Sequence, residues 1–313
     1  MNLIYVILIV LFSLILLIFL IAYICFRLTF FVTKKEKQIK ENDLPKGEIY
    51  LPFYPQMQTW ANELKQTPCK EITIKSFDGL TLYGKYYEYS KNSPIEIMFH
   101  GYRGTAERDL CGGVQRCFAL GRSAIVVDQR GHGRSGGNTI SFGVLERKDC
   151  LFWTKYASEQ FPNRSLFITG ISMGASTVMM ASCMDLPDSV VGAIADCGYS
   201  SQKEIIKKTI KKMKLPPSIF YPFVKFGARI YGKFNLEEAA PIDSVKRSKI
   251  PIFFAHGDND DFVPCEMSKA CYNACNTPKS LLIVKGAGHG LAYLVDNDGY
   301  VKQLKEFEKN INI

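Results

Sequence analysis

The sequence predicts an α/β chain, a mostly parallel sheet flanked by helices, standing behind one long apolar helix at the amino terminus. Three observations carry that expectation. Apolar runs of strand length alternate with helix-like segments from residue 69 onward. One such strand, residues 166–169, gives way abruptly at Gly170-Ile171-Ser172-Met173-Gly174 to a helix of small residues. Ahead of all of them, residues 3–26 are apolar without one charge.

At about 1.5 Å per residue, that apolar run is long enough to cross a hydrocarbon core of roughly 30 Å, so residues 1–32 read as a single-pass membrane anchor. A cleaved signal peptide would want a basic start and a small-residue cleavage site, and neither Met1-Asn2 nor Ala22-Tyr23-Ile24-Cys25-Phe26 supplies one. Arg27, Lys34, Lys35, Lys37 and Lys40 follow the run with no Lys or Arg before it, which by the positive-inside rule places the remaining chain in the cytoplasm. Residues 33–68 read as a juxtamembrane linker and docking segment: charged over residues 33–43, then a docking element or helix over 51–64 with Phe53, Pro55 and Trp60.

The folded domain, residues 69–313, opens with an antiparallel pair (71–75 and 80–89) turned at Asp78-Gly79. Strands follow at residues 94–99, 123–127, 166–169, 190–195, 251–255 and 281–284. A helix near residues 300–311 closes the chain, with Tyr300, Leu304, Phe307 and Ile311 on one face. The long insertion at about 201–245 is lid-like. Its first part, residues 201–215, forms a basic amphipathic helix with Ile206, Ile210 and Met213 on the apolar face and Lys203, Lys207, Lys208, Lys211, Lys212 and Lys214 around the rest. That lysine face is either solvated or rests on anionic lipid beside the anchor. Residues 219–223 either line an acyl-sized pocket or pack the lid onto the core.

A net charge of +9 raises nucleic-acid binding, but much of the excess sits beside the anchor and on the lid helix, and no aromatic-basic recognition motif accompanies it. The glycine-rich stretch from Asp128 to Ser135 carries Arg130 and Arg134 yet lacks the Lys and spacing of a phosphate-binding loop. Ten cysteines scattered over 313 residues fit free thiols in a reducing compartment better than a disulfide framework. Cys271 and Cys275 are one helical turn apart without a His or second Cys pair nearby, so they do not read as a metal site.

The chemistry lies in three loops. A strand-to-helix turn with glycine two residues before and after Ser172 holds its hydroxyl above the sheet, at the positive end of the following helix. Ser135 sits in a second Gly-x-Ser-x-Gly match, but that one is followed by Asn138-Thr139 rather than by a helix and reads as a loop. Downstream, the strand at 251–255 ends in His256-Gly257-Asp258-Asn259-Asp260-Asp261, and the strand at 281–284 leads to Gly286-Ala287-Gly288-His289-Gly290. Serine becomes a nucleophile when an imidazole takes its proton, and the imidazole needs a carboxylate to fix its tautomer. His289 is the expected base. Spacing leaves Asp258, Asp260 and Asp261 in competition for the acid, with Asp196 a further candidate. Met173, the residue after the nucleophile, supplies one backbone N–H to an oxyanion hole.

His100-Gly101-Tyr102-Arg103-Gly104, the stretch Asp128 to Ser135, the turn around Ser172, His256-Gly257-x-x-Asp260 and Gly288-His289 together resemble the α/β-hydrolase superfamily. The resemblance is greatest to its membrane-anchored bacterial branch, described as serine-aminopeptidase-like or lysophospholipase-like, and runs from about residue 69 to about 307. It implies an α/β-hydrolase fold with a mostly parallel eight-stranded sheet and a helical lid. It implies Asp260 as the acid, Tyr102 as the second oxyanion donor, structural roles for Arg130 and His132, and no metal or organic cofactor. The implied activity is cleavage of a small or lipid-derived ester, thioester or lysophospholipid through an acyl-enzyme on Ser172. A serine peptidase is the alternative, and a catalytically silent scaffold is the reading from another class.

Overall fold

Eight strands pair into one sheet in the computed structural model, which describes residues 3–37, 44–45 and 47–311. They are β1 (Lys70–Lys75), β2 (Thr81–Tyr87), β3 (Ile95–Phe99), β4 (Ser123–Asp128), β5 (Leu166–Ile171), β6 (Val190–Asp196), β7 (Ile252–Gly257) and β8 (Lys279–Val284), in the spatial order β1-β2-β4-β3-β5-β6-β7-β8. The pairs β1·β2 and β2·β4 are antiparallel and the remainder parallel, as the sequence predicts. Strands β3, β4 and β7 are buried at every position, so they read as largely apolar runs, broken in β3 by Glu96, whereas the edge strand β1 alternates.

The helices are α1 (Leu3–Thr29), α2 (Lys34–Lys37), α3 (Tyr54–Gln66), α4 (Ala106–Ala119), α5 (Glu146–Gln160), α6 (Met173–Ala181), α7 (Gln202–Lys212), α8 (Pro217–Ile230), α9 (Pro241–Val245), α10 (Cys265–Ala274), α11 (Ala292–Val295) and α12 (Asn297–Asn310). Ile95, Ile97 and Phe99 point to one face of the sheet, against α5, α6, α9 and α10. Met98 and Val126 point to the other, beneath α3 and α4, and α12 buries Tyr300, Leu304 and Phe307 on Phe253. Helix starts follow their sequence signals: Thr105 caps α4 by accepting from Arg108 N, Ser201 caps α7 by accepting from Glu204 N, and Asp296 caps α12.

One expectation for the lid changes and one alternative is decided. Met213 lies past the end of α7 and is exposed, so the buried face is Ile205, Ile206 and Ile210. Residues 219–223 do not line the cavity described below. Phe220, Tyr221 and Phe223 pack instead around Cys25, Phe26 and Phe30 at the carboxyl end of α1. Lys40 and most of the charged linker lie outside the described residues.

Beyond α1 the chain runs along the domain: Phe31 bridges Thr139, Val32 N donates to Asn138 O at 2.8 Å, and Phe30 O accepts from Ile140 N at 2.8 Å. The carboxyl ends of β3, β5, β6, β7 and β8 converge at one edge of the parallel sheet, where such folds place their ligands.

Candidate active site

Ser172 stands between β5 and α6 with φ 57° and ψ −115°, a left-handed conformation that costs a non-glycine residue energy. The flanking glycines let the backbone close around it. A Cβ on Gly170 would fall 2.1 Å from Gly174 C and O, and one on Gly174 would fall 1.9 Å from Phe99 O. Sequence spacing alone points to both glycines, and packing leaves neither replaceable.

His289, on the loop after β8, approaches Ser172 Oγ with Nε2 at 2.9 Å. Its Nδ1 lies 2.7 Å from Asp260 Oδ2, on the loop after β7. A carboxylate only accepts, so Nδ1 carries the proton and leaves Nε2 free to receive one from serine. The other oxygen of Asp260 accepts from Phe262 N at 2.9 Å and Val263 N at 2.8 Å. Burial would raise the Asp260 carboxyl, but hydrogen bonds from His256, His289 and Val263 N outweigh it and hold the group well below the usual carboxylate range.

The competing acids are placed elsewhere. Asp258 accepts from Gly286 N, Asp261 is exposed, and Asp196 accepts from Tyr300 OH at 3.0 Å rather than from His289. Burial pushes the Asp196 carboxyl up. Ser135 is buried in its loop, where its Oγ accepts from Tyr83 N and donates to Asp128 O.

The loop after β3 carries Tyr102. Among the described residues neither Tyr102 N nor Met173 N has a hydrogen-bond partner, so two backbone donors stand free beside Ser172. Two histidines brace this loop. His100 Nε2 accepts from Gln129 N and His132 Nε2 accepts from Arg103 N, so both rings carry their proton on Nδ1 and give it to the carbonyls of Gly101 and Arg130. Burial lowers both imidazoles, which keeps them neutral donors and acceptors. Arg130 is likewise structural, paired to Asp149 at 2.6 Å and Asp78 at 2.9 Å.

Three contributions escaped the sequence reading. His256 places Nε2 3.1 Å from Asp260 Oδ2 and holds the acid from behind; its position four residues before Asp260 was the available signal. The docking segment reaches the site itself, since Pro45, Glu48, Ile49, Tyr50 and Met57 line a cavity of about 470 Å³ above Ser172 and His289. Tyr50 OH also donates to His289 O at 3.0 Å. Finally, Lys208 on α7 donates to the carbonyls of Asp261 and Phe262, fastening the lid to the acid loop.

A metal fits these residues poorly. Donor atoms of Cys197, Asp260 and His289 lie within 4.8 Å of one another, but Asp260 and His289 are bonded to each other and burial pushes the Cys197 thiol well above its usual value, away from the thiolate a metal needs.

A family model described as serine aminopeptidase, S33, matches residues 92–233. The uncharacterized protein YqkD of Bacillus subtilis is 28% identical over 195 residues, covering 62% of this chain and 64% of that protein, so the match spans a little under two thirds of that relative. The lysophosphatidylserine lipase ABHD12 of Danio rerio is 23% identical over 205 residues, 63% of this chain and 52% of that protein. Among solved structures, the Pyrococcus furiosus esterase Pf2001 superposes with a TM-score of 0.64 at 21% identity, over 86% of this chain and 96% of that one. At that identity the likeness speaks for the fold.

Proposed function

We propose that this chain, a serine hydrolase of the α/β-hydrolase superfamily, is held at a membrane by α1 and cleaves carboxylic esters of lipid-derived substrates through an acyl-enzyme on Ser172. The observation that carries the proposal is the continuous relay Asp260–His289–Ser172, with separations of 2.7 and 2.9 Å, at the floor of the cavity. His289 Nε2 takes the Ser172 proton as Oγ adds to the ester carbonyl. The N–H groups of Tyr102 and Met173 bind the oxyanion. The tetrahedral intermediate collapses, His289 gives the proton to the departing alkoxide, and the acyl group remains on Oγ. Water, deprotonated by His289, then releases the acid.

Ile49, Tyr50, Met57, Ile171 and Phe262 give the cavity an apolar wall suited to an acyl chain. Glu48, Asp261 and Asp109 line the same cavity with Lys212 and with Arg108, which pairs with Asp109, and this excess of carboxylates favours, as a second reading, an amide substrate bearing a free amine. The 27-residue α1, exposed over most of its apolar length, supports anchoring, and the basic residues after it together with ten free cysteines support a cytoplasmic domain.

The test is fluorophosphonate labelling of the detergent-solubilised protein, followed by p-nitrophenyl esters of graded chain length and aminoacyl p-nitroanilides. Labelling should vanish in Ser172→Ala and persist in Ser135→Ala, with turnover of esters. Labelling that survives in Ser172→Ala would overturn the nucleophile, and turnover of anilides alone would overturn the ester reading.

A further inference from the structure

Helix α8 presents three kinds of surface. Tyr221, Val224 and Ala228 are buried within the domain beside Ile206 and Phe234. A second face packs on α1. A Cβ added at Gly227 would lie 2.5 Å from Ala22 O, so the two backbones touch. The Phe226 ring meets Phe19 at 5.4 Å, and Tyr231, just past the helix, donates to Phe19 O at 3.0 Å and packs on Tyr23 at 5.2 Å. The third face is apolar and open. Ile219, Pro222 and Ile230 are exposed, Ile219 at 56% and Ile230 at 42%, and the half-buried Phe223 and Phe226, which also pack toward α1, border them at three- and four-residue spacing. Nothing in the domain covers this stripe among the described residues, and it borders the α1 contact.

We propose that α8 is a second membrane-embedded element, with the lipid bilayer covering the stripe from Ile219 to Ile230. The inference rests on the reading of α1 as a membrane span. Arg27 is the first charge after the apolar run and marks the headgroup level. Ala22 lies five residues before it and Phe19 eight, which at 1.5 Å per residue is about 8 and about 12 Å deeper along the helix axis. A helix whose backbone touches α1 at Ala22 is therefore carried to the depth of an interfacial helix, roughly 5–10 Å into the headgroup and acyl boundary. The composition agrees with that depth. The exposed apolar residues of the stripe are uncharged; Arg229, two turns beyond Pro222, borders them as a snorkelling residue beside a membrane does, while Lys225 lies off the stripe, paired with Glu237. Because Tyr102 both lines the cavity and donates to Thr29 O at the end of α1, embedding α8 brings the cavity wall to the lipid headgroups, where an ester-bearing amphiphile partitions.

The test uses the full-length protein in phosphatidylcholine–phosphatidylglycerol vesicles with and without brominated acyl chains. Ile219→Trp and Ile230→Trp are compared with Lys246→Trp at the exposed residue just past α9, the native Trp60 and Trp153 being buried. Vesicle flotation reports α1 anchoring independently, and fluorophosphonate labelling reports folding. We expect all variants to float and both stripe tryptophans to be quenched at least threefold more than the native protein and Lys246→Trp. Flotation without quenching at both positions would overturn the embedding of α8 while leaving the anchor intact. Failure to float would overturn the anchor, and the inference with it.

Discussion

Replacing Asp260 by Asn tests the site most sharply, because the change is isosteric and its consequence follows from hydrogen-bond directions. One carboxylate oxygen accepts two backbone N–H groups, from Phe262 and Val263, and the other faces His289 Nδ1 and His256 Nε2. An Asn can satisfy the two backbone donors only with its carbonyl, which turns its NH₂ toward His289. His289 then accepts on Nδ1 and carries its proton on Nε2, facing Ser172 Oγ, where it cannot act as base. Loss of the correct tautomer in a Ser-His-Asp relay lowers turnover by about 10³–10⁴, or about 4–5.5 kcal/mol of transition-state stabilisation. Asp260 does not line the cavity, so KM should change little while kcat falls. The assay is steady-state hydrolysis of p-nitrophenyl butyrate near pH 7.5, with a thermal melt to show that Asp260→Asn is folded. Asp258→Asn, whose partner is Gly286 N, should retain wild-type kcat. A kcat for Asp260→Asn within about tenfold of wild type, or an equal loss in Asp258→Asn, would refute the assignment of the acid.

Gly174→Ala should abolish fluorophosphonate labelling or solubility, because its Cβ meets the backbone of Phe99 at 1.9 Å and α6 must shift by more than an ångström. Gly286→Ala, with open space around it, should cost only about 1–2 kcal/mol in a melt. Tyr102→Phe removes the hydroxyl bound to Thr29 O and should lower kcat severalfold with the melting temperature nearly unchanged; an unaltered kcat would show that the contact does not position the loop. Stability should fall as pH drops below about 6.5, the ordinary histidine value. Burial lowers His100 and His132 in the folded chain, so there the unfolded state binds more protons and folding loses free energy. Depression of Asp260 adds a second loss that sets in as pH falls past about 4, and melting curves from pH 8 to about 2.5 would separate the two windows.

What the sequence made legible were the features with a local cause. A strand, two glycines and a serine define the Ser172 turn, and the glycine loop of His289 follows a strand in register with its neighbour. Spacing alone left Asp258, Asp260 and Asp261 open, with Asp196 a further candidate, and only the family resemblance favoured Asp260. Distinguishing Asp260 needs the return of the chain after Phe262, which presents two backbone donors to one oxygen and His256 to the other. The cavity wall was illegible for a different reason. Ile49 and Tyr50 precede the first strand by about twenty residues, and nothing in their own pattern says that they reach the loop after the last one. Glu96 is a similar case. A glutamate in the middle of a buried strand breaks the apolar run, and only the fold brings Arg116 and Arg122 to 2.5 and 2.6 Å, where they hold its pKa at about 2 against the cost of burial.

The same non-local logic makes α1 more than a leash. The last carbonyls of a helix have no partner within it and must find one outside. In α1, Leu28 O and Thr29 O find Arg103 and Tyr102, on the loop proposed to hold the oxyanion, and Arg103 also reaches Phe31 O and the Glu36 carboxylate. Arg103 has φ 52°, a conformation held from inside by His132 accepting its N–H and from outside by these carbonyls. The carboxyl terminus of α1 and the loop beside Ser172 are therefore one hydrogen-bonded unit. Removing residues 1–32, the usual route to a soluble enzyme, takes away the carbonyls of Leu28, Thr29 and Phe31, leaves Arg103 with Glu36 alone of these partners, and frees the loop on one side. On this geometry α1, proposed above as the anchor, also positions the site.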